Sequence, residues 1–187
     1  MRLIRRTRVV IREPVAADAR AIAQVLVDSW LAAYRELFPA ELLAGLSVTA
    51  RAQQLEVALA APAPLGAVRL VAELGGVVIG FVNAGGTAPG AAVRADDAAA
   101  VCEAELAVLY VDPEHWRQGV GRKLTKSALA RLTDVGFDQV SAWVIDGNAP
   151  AHAFLTSQGW SFSEAKRAEM IDGYQIDQTR LDVRLID

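Results

Sequence analysis

The chain has 187 residues, 53% of them hydrophobic, which is enough for one domain with a proper core. Its 19 basic and 22 acidic residues give a formal charge of −3, which offers no support for nucleic-acid binding. Cys102 is the single cysteine, so the chain forms no internal disulfide and we expect a cytoplasmic protein. No run of about 18 uncharged apolar residues predicts a membrane span. With only His115 and His152 to join Cys102 as soft ligands, we expect no metal site.

The first half of the chain contains both helix and strand signals. Pro14 and Asp18 introduce a helix. Two strand-forming runs flank Gly75-Gly76, which is a strong hairpin signal. The predicted elements are a strand at 9–12, a helix from about 18 towards 39, a helix at 49–59, strands at 70–73 and 77–82, and a loop at 85–100. A loop of that length in a small domain is functional or mobile.

The second half continues as mixed α/β. Pro113 ends a strand because it has no N–H for a ladder, and Val120, Leu124, Ala128 and Leu132 then recur at helical spacing. The predicted elements are a strand to 111, a helix at 120–136, a strand at 140–145, a helix from 148 to about 159, and late strands at 160–162 and 174–185. This order predicts one α/β domain over 1–187, with its core at about 8–166 and C-terminal strands to 187.

The start of the helix after residue 119 combines glycines with positive charge. Gly119 and Gly121 remove side chains where the backbone must bend or touch a ligand. Four cations and no acid crowd this helix start: Arg117, Arg122, Lys123 and Lys126. Cations at a helix N-terminus are unfavourable unless an anion arrives, which favours a phosphate-bearing ligand. The alternative is a solvated helix start that follows a glycine turn.

Two common phosphate motifs do not fit this segment. A Walker-type loop needs a Gly-Lys pair, and a dinucleotide fingerprint needs a third glycine where Leu124 stands. The segment resembles motif A of the GCN5-related N-acetyltransferase (GNAT) family, Gln/Arg-x-x-Gly-x-Gly/Ala. Gly119 and Gly121 match its glycines after a Leu-Tyr-Val-Asp-Pro lead-in, and Trp116 occupies the Gln/Arg position.

The element order also resembles this family's fold over nearly the whole chain. The resemblance implies a mixed, mostly antiparallel twisted sheet, splayed between its fourth and fifth strands and flanked by helices. It implies acetyl-CoA as cosubstrate, with pantetheine bonded to the fourth strand as an added strand would be. The implied cofactor-binding residues are Leu109, Tyr110 and Val111 for pantetheine and Arg117, Gln118, Gly119, Val120, Gly121 and Arg122 for the pyrophosphate.

A second segment, which begins at Asn148, resembles motif B of the same family. Asn148 is a good helix N-cap and, by resemblance, a cofactor contact. Relatives carry a tyrosine near the sulfur as a proposed general acid, and here that position is Leu155, which has no proton to donate. The substitutes that the sequence offers are His152, Tyr110 and Ser157. The alternative is that the thiolate leaves with help from water or the backbone.

Amine acetylation needs a base for the amine and a donor for the thioester oxygen. Glu103 and Glu105 point to the same side if their strand is regular. By resemblance Glu105 is the catalytic carboxylate, and the N–H of Val111 polarises the carbonyl. Glu103 is a candidate substrate contact. The alternative for both glutamates is a solvent-facing position at the strand end.

The acceptor is the part of the reaction that the sequence describes least. Trp30 and Tyr34 lie four residues apart in the first helix, a spacing that more often reflects packing than a binding site, and by resemblance they contact the acceptor. We therefore expect transfer of an acetyl group to a primary amine of a small molecule or peptide, by direct attack in a ternary complex. The main alternative is a non-catalytic acyl-CoA-binding module. A dinucleotide-binding domain of the Rossmann type is a weaker one, because the missing third glycine and the Gly75-Gly76 hairpin count against it. The resemblance also allows a homodimer.

Overall fold

The computed structural model describes residues 8–86, 102–171 and 173–185. Five α-helices lie in this part of the chain: α1 Ala19–Tyr34, α2 Ala40–Ala44, α3 Val48–Ala60, α4 Val120–Val135 and α5 Ala149–Thr156. The strands described are β1 Val10–Arg12, β2 Val68–Leu74, β3 Val77–Gly86, β4 Glu103–Val111, β5 Gln139–Ile145, β6 Ser161–Ile171 and β7 Tyr174–Arg184. The alternation of strands and helices is the α/β order predicted above.

These strands form one sheet in the order β1-β2-β3-β4-β5-β7-β6. The β4–β5 pair is parallel, and the other neighbouring strands are antiparallel. The predicted mixed, mostly antiparallel sheet is therefore confirmed. The hairpin between β2 and β3 is also confirmed, and both of its turn glycines have positive φ, 61° at Gly75 and 87° at Gly76.

The sheet opens between its fourth and fifth strands. Pairing of β4 with β5 is confined to Glu103↔Gln139, Ala104↔Val140 and Glu105↔Ser141, although β4 continues to Val111. On the other edge of β4, Asn83 of β3 pairs with Val108, but the next residue, Ala84, pairs with Leu106. Ala107 is therefore an extra residue in β4. Such a bulge bends its strand. The bend lies next to the last β4–β5 pair, so it explains why the two strands separate there.

Helices cover both faces of the sheet. α4 presents Val120, Leu124, Ala128 and Leu132 to the larger core cluster, as their spacing predicts, and each is at most 2% exposed. α1 and α3 pack on the other face, where Ile22 meets Val71 and Phe81. The two layers leave the open end of the gap between β4 and β5 bordered by α1 on one side and by α4 and α5 on the other.

Three predicted boundaries need correction. β6 runs from Ser161 to Ile171 and is much longer than the predicted strand at 160–162. The prediction missed most of it because its residues are largely exposed and show no alternating apolar pattern. α2 has five residues, too short for a periodic signal, and was not predicted. Gly85 and Gly86 belong to β3 rather than to the predicted loop, whose remainder lies outside the described residues.

Candidate active site

The main chain of β4 offers hydrogen-bonding groups to the gap at alternate residues. The N–H of Asp112 donates to the carbonyl of Ile79 in β3 over 2.9 Å. Because main-chain groups alternate between the two edges of a strand, Tyr110 also faces β3, where it is the register partner of Phe81. Leu109 and Val111 therefore face the gap. The predicted main-chain contact from Tyr110 to pantetheine does not fit this geometry.

The carbonyl of Val111 is already occupied. It accepts from the Ser29 hydroxyl over 2.8 Å and from the Trp116 indole N–H over 2.6 Å, which uses both of its lone pairs. Only the N–H of Val111 remains for a ligand. Trp116, which departs from the family motif, thus fixes the end of β4. Sequence reasoning missed Ser29, although a hydroxyl on the apolar face of a helix signals a buried partner.

The loop before α4 presents open amides. Arg117 and Gly119 both have a left-handed backbone, with φ of 63° and 82°. In the described part of the chain, no acceptor binds the main-chain N–H groups from Arg117 to Arg122. The first turn of α4 contains no acidic residue, and Arg117 and Arg122 are exposed. The combination of free donors and positive charge suits a phosphate group.

The two loop glycines have different functions. A side chain at Gly119 would meet nothing within 4 Å, so this position needs glycine only for its backbone angle. A Cβ at Gly121 would lie 3.2 Å from Cζ of Phe154 in α5. Gly121 therefore lets α4 and α5 approach each other closely. Val120, which was predicted to bind the cofactor, is 2% exposed, so only its main chain can do so.

Asn148 links the start of α5 to α1. Its side-chain oxygen accepts from the Ala151 N–H over 3.1 Å and caps the helix, as predicted. Its Nδ2 donates to the Tyr34 hydroxyl over 3.0 Å. The side chain is 8% exposed, and one N–H and one lone pair remain uncommitted. Its predicted contact with a cofactor would use these remaining groups.

Three aromatic rings of α1 and the turn after it lie beside the gap. The ring centroids of Trp30 and Tyr34 are 4.9 Å apart, and Phe38 lies 5.2 Å from Tyr34. The Trp30 indole N–H donates to the Tyr110 hydroxyl over 2.9 Å. The cluster thus binds β4 through Tyr110 and α5 through Asn148. Trp30 and Tyr34, the predicted acceptor contacts, lie together, and their contacts also secure α1 to both sides of the gap.

Burial changes the acidity of this cluster and gives a testable result. It raises the pKa of Tyr34 from 10.0 to about 12, with the neighbouring Tyr110 adding to the shift and the Asn148 bond opposing it. The unfolded chain therefore loses this proton at lower pH than the folded chain does. The stabilising effect is complete below about pH 10, and about 2–3 kcal/mol is lost as the pH rises through about 12.

We expect Tyr34→Phe to remove this part of the alkaline loss of stability. Urea midpoints at about pH 8 and about pH 11.5 would show a smaller decrease in the variant than in the native chain. Tyr174→Phe is a matched control, because Tyr174 is 38% exposed at the far end of β7. Equal decreases in the native chain and Tyr34→Phe would contradict the assignment.

The two glutamates of β4 lie on the face of the sheet opposite Ala104, as predicted. Glu103 accepts from Arg180 over 2.5 Å, and Arg180 also binds Asp182 over 2.7 Å. Glu105 has a looser contact, 4.0 Å from a guanidinium nitrogen of Arg167. Glu105 occupies the last paired position before the strands separate. It is therefore the less committed carboxylate and the one at the inner end of the gap.

Sequence reasoning missed Arg167, because it lies in the part of β6 that was not predicted. Its Nε donates to Gln178 over 2.9 Å, and its guanidinium lies 4.6 Å from the ring centroid of Trp143. These contacts hold a cation beside Glu105. One signal for a polar cluster was available in β7, because the alternation of a strand puts Gln178 and Arg180 on one face of the sheet, and Gln178 is the residue that Arg167 binds.

The position at which relatives carry a tyrosine is closed here. Leu155 is 4% exposed and packs in the larger core cluster. Of the three predicted substitutes, Ser157 donates to the carbonyl of Phe154, and His152 stacks on Phe162 with ring centroids 5.3 Å apart. Tyr110 is the substitute that borders the gap.

Comparison with known proteins identifies the family. The sequence matches the family described as the acetyltransferase (GNAT) family over residues 25–160. The chain belongs to this family. GNAT relatives include the uncharacterized N-acetyltransferase YuaI of Bacillus subtilis, which is 29% identical over 173 residues, 92% of this chain and 88% of that protein.

Solved GNAT-fold structures are similar over nearly the full length. The PaiA N-acetyltransferase of Thermoplasma acidophilum, in complex with coenzyme A, has a TM-score of 0.66 and 19% identity, covering 95% of this chain and 99% of that one. The structure of YncA from Salmonella typhimurium with acetyl-CoA has a TM-score of 0.66 and 24% identity, covering 97% and 96%. At these identities the likeness establishes the fold.

Two further observations concern the described residues alone. No group of three or more histidine, cysteine, aspartate or glutamate side chains is arranged there to hold a metal ion. None of the helices described is both long and apolar enough to cross a bilayer.

Proposed function

We propose that this GNAT protein transfers the acetyl group of acetyl-CoA to a primary amine, by direct attack in a ternary complex. The observation that carries the proposal is the gap beside β4, which exposes main-chain groups at one strand edge and leads to open amides at the start of α4. Family membership and the coenzyme-bound structures of PaiA and YncA support it.

The residues along the gap match the two polar parts of the cosubstrate. The pantetheine arm would bind Leu109 and the N–H of Val111 as an added strand. The pyrophosphate would bind the amides of the α4 loop, with charge from two guanidinium groups: Arg117, Gln118, Gly119, Val120, Gly121 and Arg122. Asn148 would contact the cosubstrate from the start of α5. Acetyl-CoA supplies an activated thioester, and the protein must supply the base for the amine and the donor for the thioester oxygen.

Glu105 is the proposed base. An amine is protonated at neutral pH and cannot attack until it loses a proton, which a carboxylate can accept through one water. Glu105 lies where β4 and β5 separate and keeps only a 4.0 Å contact to Arg167. The N–H of Val111 would stabilise negative charge on the thioester oxygen, since it points into the gap and no described residue accepts from it.

The acceptor would enter beside the aromatic rings of α1. Trp30 and Tyr34 form one wall, and Glu103 lies on the face of the sheet that α1 covers, opposite Ala104. Around Glu103 and Glu105, that face of the sheet carries two paired guanidinium groups, the exposed Arg184 and four carboxylates: Arg167, Arg180, Arg184, Glu103, Glu105, Glu169 and Asp182. Their net negative charge favours a cationic amine, on a small molecule or a peptide. Cytoplasmic location and a homodimer stay predictions.

Free-thiol release in the presence of acetyl-CoA tests the activity. The acceptors would be simple amines, aminoglycosides and peptides, and the amide product would be confirmed by mass. We expect at least one amine to accelerate release well above hydrolysis. Titration calorimetry with acetyl-CoA and with NAD would be run in parallel. Tight NAD binding without acetyl-CoA binding would overturn the proposal.

The burial of Leu155 favours one alternative, a non-catalytic acyl-CoA-binding module. That module would bind acetyl-CoA in the calorimeter and release no thiol with any amine. The two results together therefore separate an enzyme from a binding module.

The positive charge of the α4 loop makes a separate prediction. We expect the double variant Arg117→Gln, Arg122→Gln to bind acetyl-CoA about tenfold more weakly, because each guanidinium contributes about 0.5–1 kcal/mol to an exposed phosphate contact. The native protein should lose affinity when salt rises from about 50 mM to about 300 mM, and the variant should lose less.

Arg20→Gln is the control for this charge effect. It removes one exposed guanidinium from α1, and the expected change in affinity is less than about twofold. An unchanged affinity and an unchanged salt dependence in the double variant would show that the loop cations do not meet the phosphates.

A further inference from the structure

In the described part of the chain, no group accepts the hydroxyl proton of Tyr34. Asn148 uses its carbonyl oxygen to cap α5, so its amide nitrogen faces Tyr34 and can only donate. The phenolic oxygen of Tyr34 is therefore the acceptor of that bond. Its own proton points elsewhere, and within residues 8–86, 102–171 and 173–185 it has no acceptor.

Tyr110 is in the same condition. The indole N–H of Trp30 is a donor only, so the Tyr110 oxygen accepts, and none of the described residues accepts its proton. Burial raises the pKa of both phenols, to about 12 for Tyr34, so both stay protonated at neutral pH. The two phenols therefore place two neutral O–H donors beside the gap. On the α5 side, Leu155 occupies the position at which relatives carry a tyrosine donor.

The anchoring of each phenol distinguishes the two. Tyr110 is held by Trp30, on the side where the acceptor would enter. Tyr34 is held by Asn148 at the start of α5, so its oxygen lies at the border between the aromatic wall and the proposed cofactor side. A ligand that lies along β4 and reaches Asn148 would pass the Tyr34 hydroxyl.

We propose that Tyr34 donates its phenolic hydrogen bond to the sulfur that leaves the acetyl group. This role rests on the proposed function. As the amine nitrogen bonds to the acetyl carbon, the carbon–sulfur bond breaks and its electron pair goes to sulfur. The amine proton passes through Glu105 to solvent. Tyr34 keeps its proton, because a phenol of this kind is a weaker acid than a thiol, and the thiolate is finally protonated by water.

A titration of bound coenzyme A tests this contact without any turnover. A hydrogen bond to a thiolate favours the charged form and lowers the pKa of the thiol. We expect the thiol of bound coenzyme A, followed by thiolate absorbance, to titrate about one pH unit or more higher in Tyr34→Phe than in the native protein. A merely structural contribution of Tyr34 would weaken binding but leave this thiol pKa unchanged.

The same variants separate the competing outcomes. With the amine found in the screen, Tyr34→Phe should lower kcat by about 10- to 100-fold and leave acetyl-CoA affinity within about twofold. Tyr174→Phe should change neither quantity. A thiol pKa that shifts in Tyr110→Phe and not in Tyr34→Phe would overturn the assignment to Tyr34. Coenzyme A that binds and shows the shift without turnover would overturn the proposed transferase and leave the Tyr34 contact standing, whereas absence of binding would overturn both.

Discussion

Glu105→Gln is expected to slow acetyl transfer by about 100-fold or more while acetyl-CoA affinity stays within about twofold. Glutamine keeps the size and the hydrogen-bonding reach of the side chain but cannot accept a proton. Since the pantetheine arm would bind main-chain groups of Leu109 and Val111, and the Glu105 side chain belongs to the paired part of β4, its loss should act on the chemical step. The measurement is steady-state kinetics by thiol release, with calorimetry for the cosubstrate.

Glu103→Gln is the matched comparison, because it makes the same change two residues away on the same strand face. Glu103 is already engaged by Arg180, so its variant should raise KM for the amine by about tenfold or less and leave most of kcat intact. Raising the pH should partly restore the rate of Glu105→Gln, since the amine then deprotonates without a base. Normal turnover of Glu105→Gln at every pH would reject the assignment.

Gly121→Trp is expected to abolish acetyl-CoA binding, with a loss of about 100-fold or more. The α4 loop and α5 meet at this residue, where even a Cβ would lie 3.2 Å from Phe154. An indole there would displace Phe154 and fill the space in front of the open amides, and overpacking alone costs about 1–3 kcal/mol. Calorimetry with acetyl-CoA measures the loss of binding, and urea unfolding measures the loss of stability.

Smaller changes separate packing from ligand contact at this position. Gly121→Ala should weaken binding moderately, and Phe154→Leu in the same chain should restore much of it by making room for the methyl group. Gly119→Ala meets no atom within 4 Å and should act only through its left-handed backbone. Native affinity in a folded Gly121→Trp protein would remove the case for a phosphate site at the start of α4.

The sequence predicted the parts of the fold whose signals are local. The glycine pair at 75 and 76 specified a hairpin because its backbone angles suit few other residues, and the spacing from Val120 to Leu132 specified the buried side of α4. Most of β6 was not predicted, because this exposed edge strand has no alternating pattern of apolar and polar residues. The family resemblance supplied the rest of the topology.

The site was predictable only where one segment forms it. The amides from Arg117 to Arg122 are contiguous, so the glycines and cations that surround them were visible in the sequence. The bond between Tyr34 and Asn148 joins residues 114 positions apart, and the bond between Ser29 and Val111 joins residues 82 apart. No spacing rule relates such pairs, because their meeting depends on how the helices pack on the sheet.

Arg117 adopts a left-handed backbone that glycine would adopt without strain, and for a residue with a side chain this conformation costs about 1–2 kcal/mol. The strain lies in the loop where the guanidinium is exposed and next to unbonded amides. Thermal resistance and affinity for an anion are therefore opposed at this one residue. Changes that relax the backbone there remove the charge, and changes that keep the charge retain the strain.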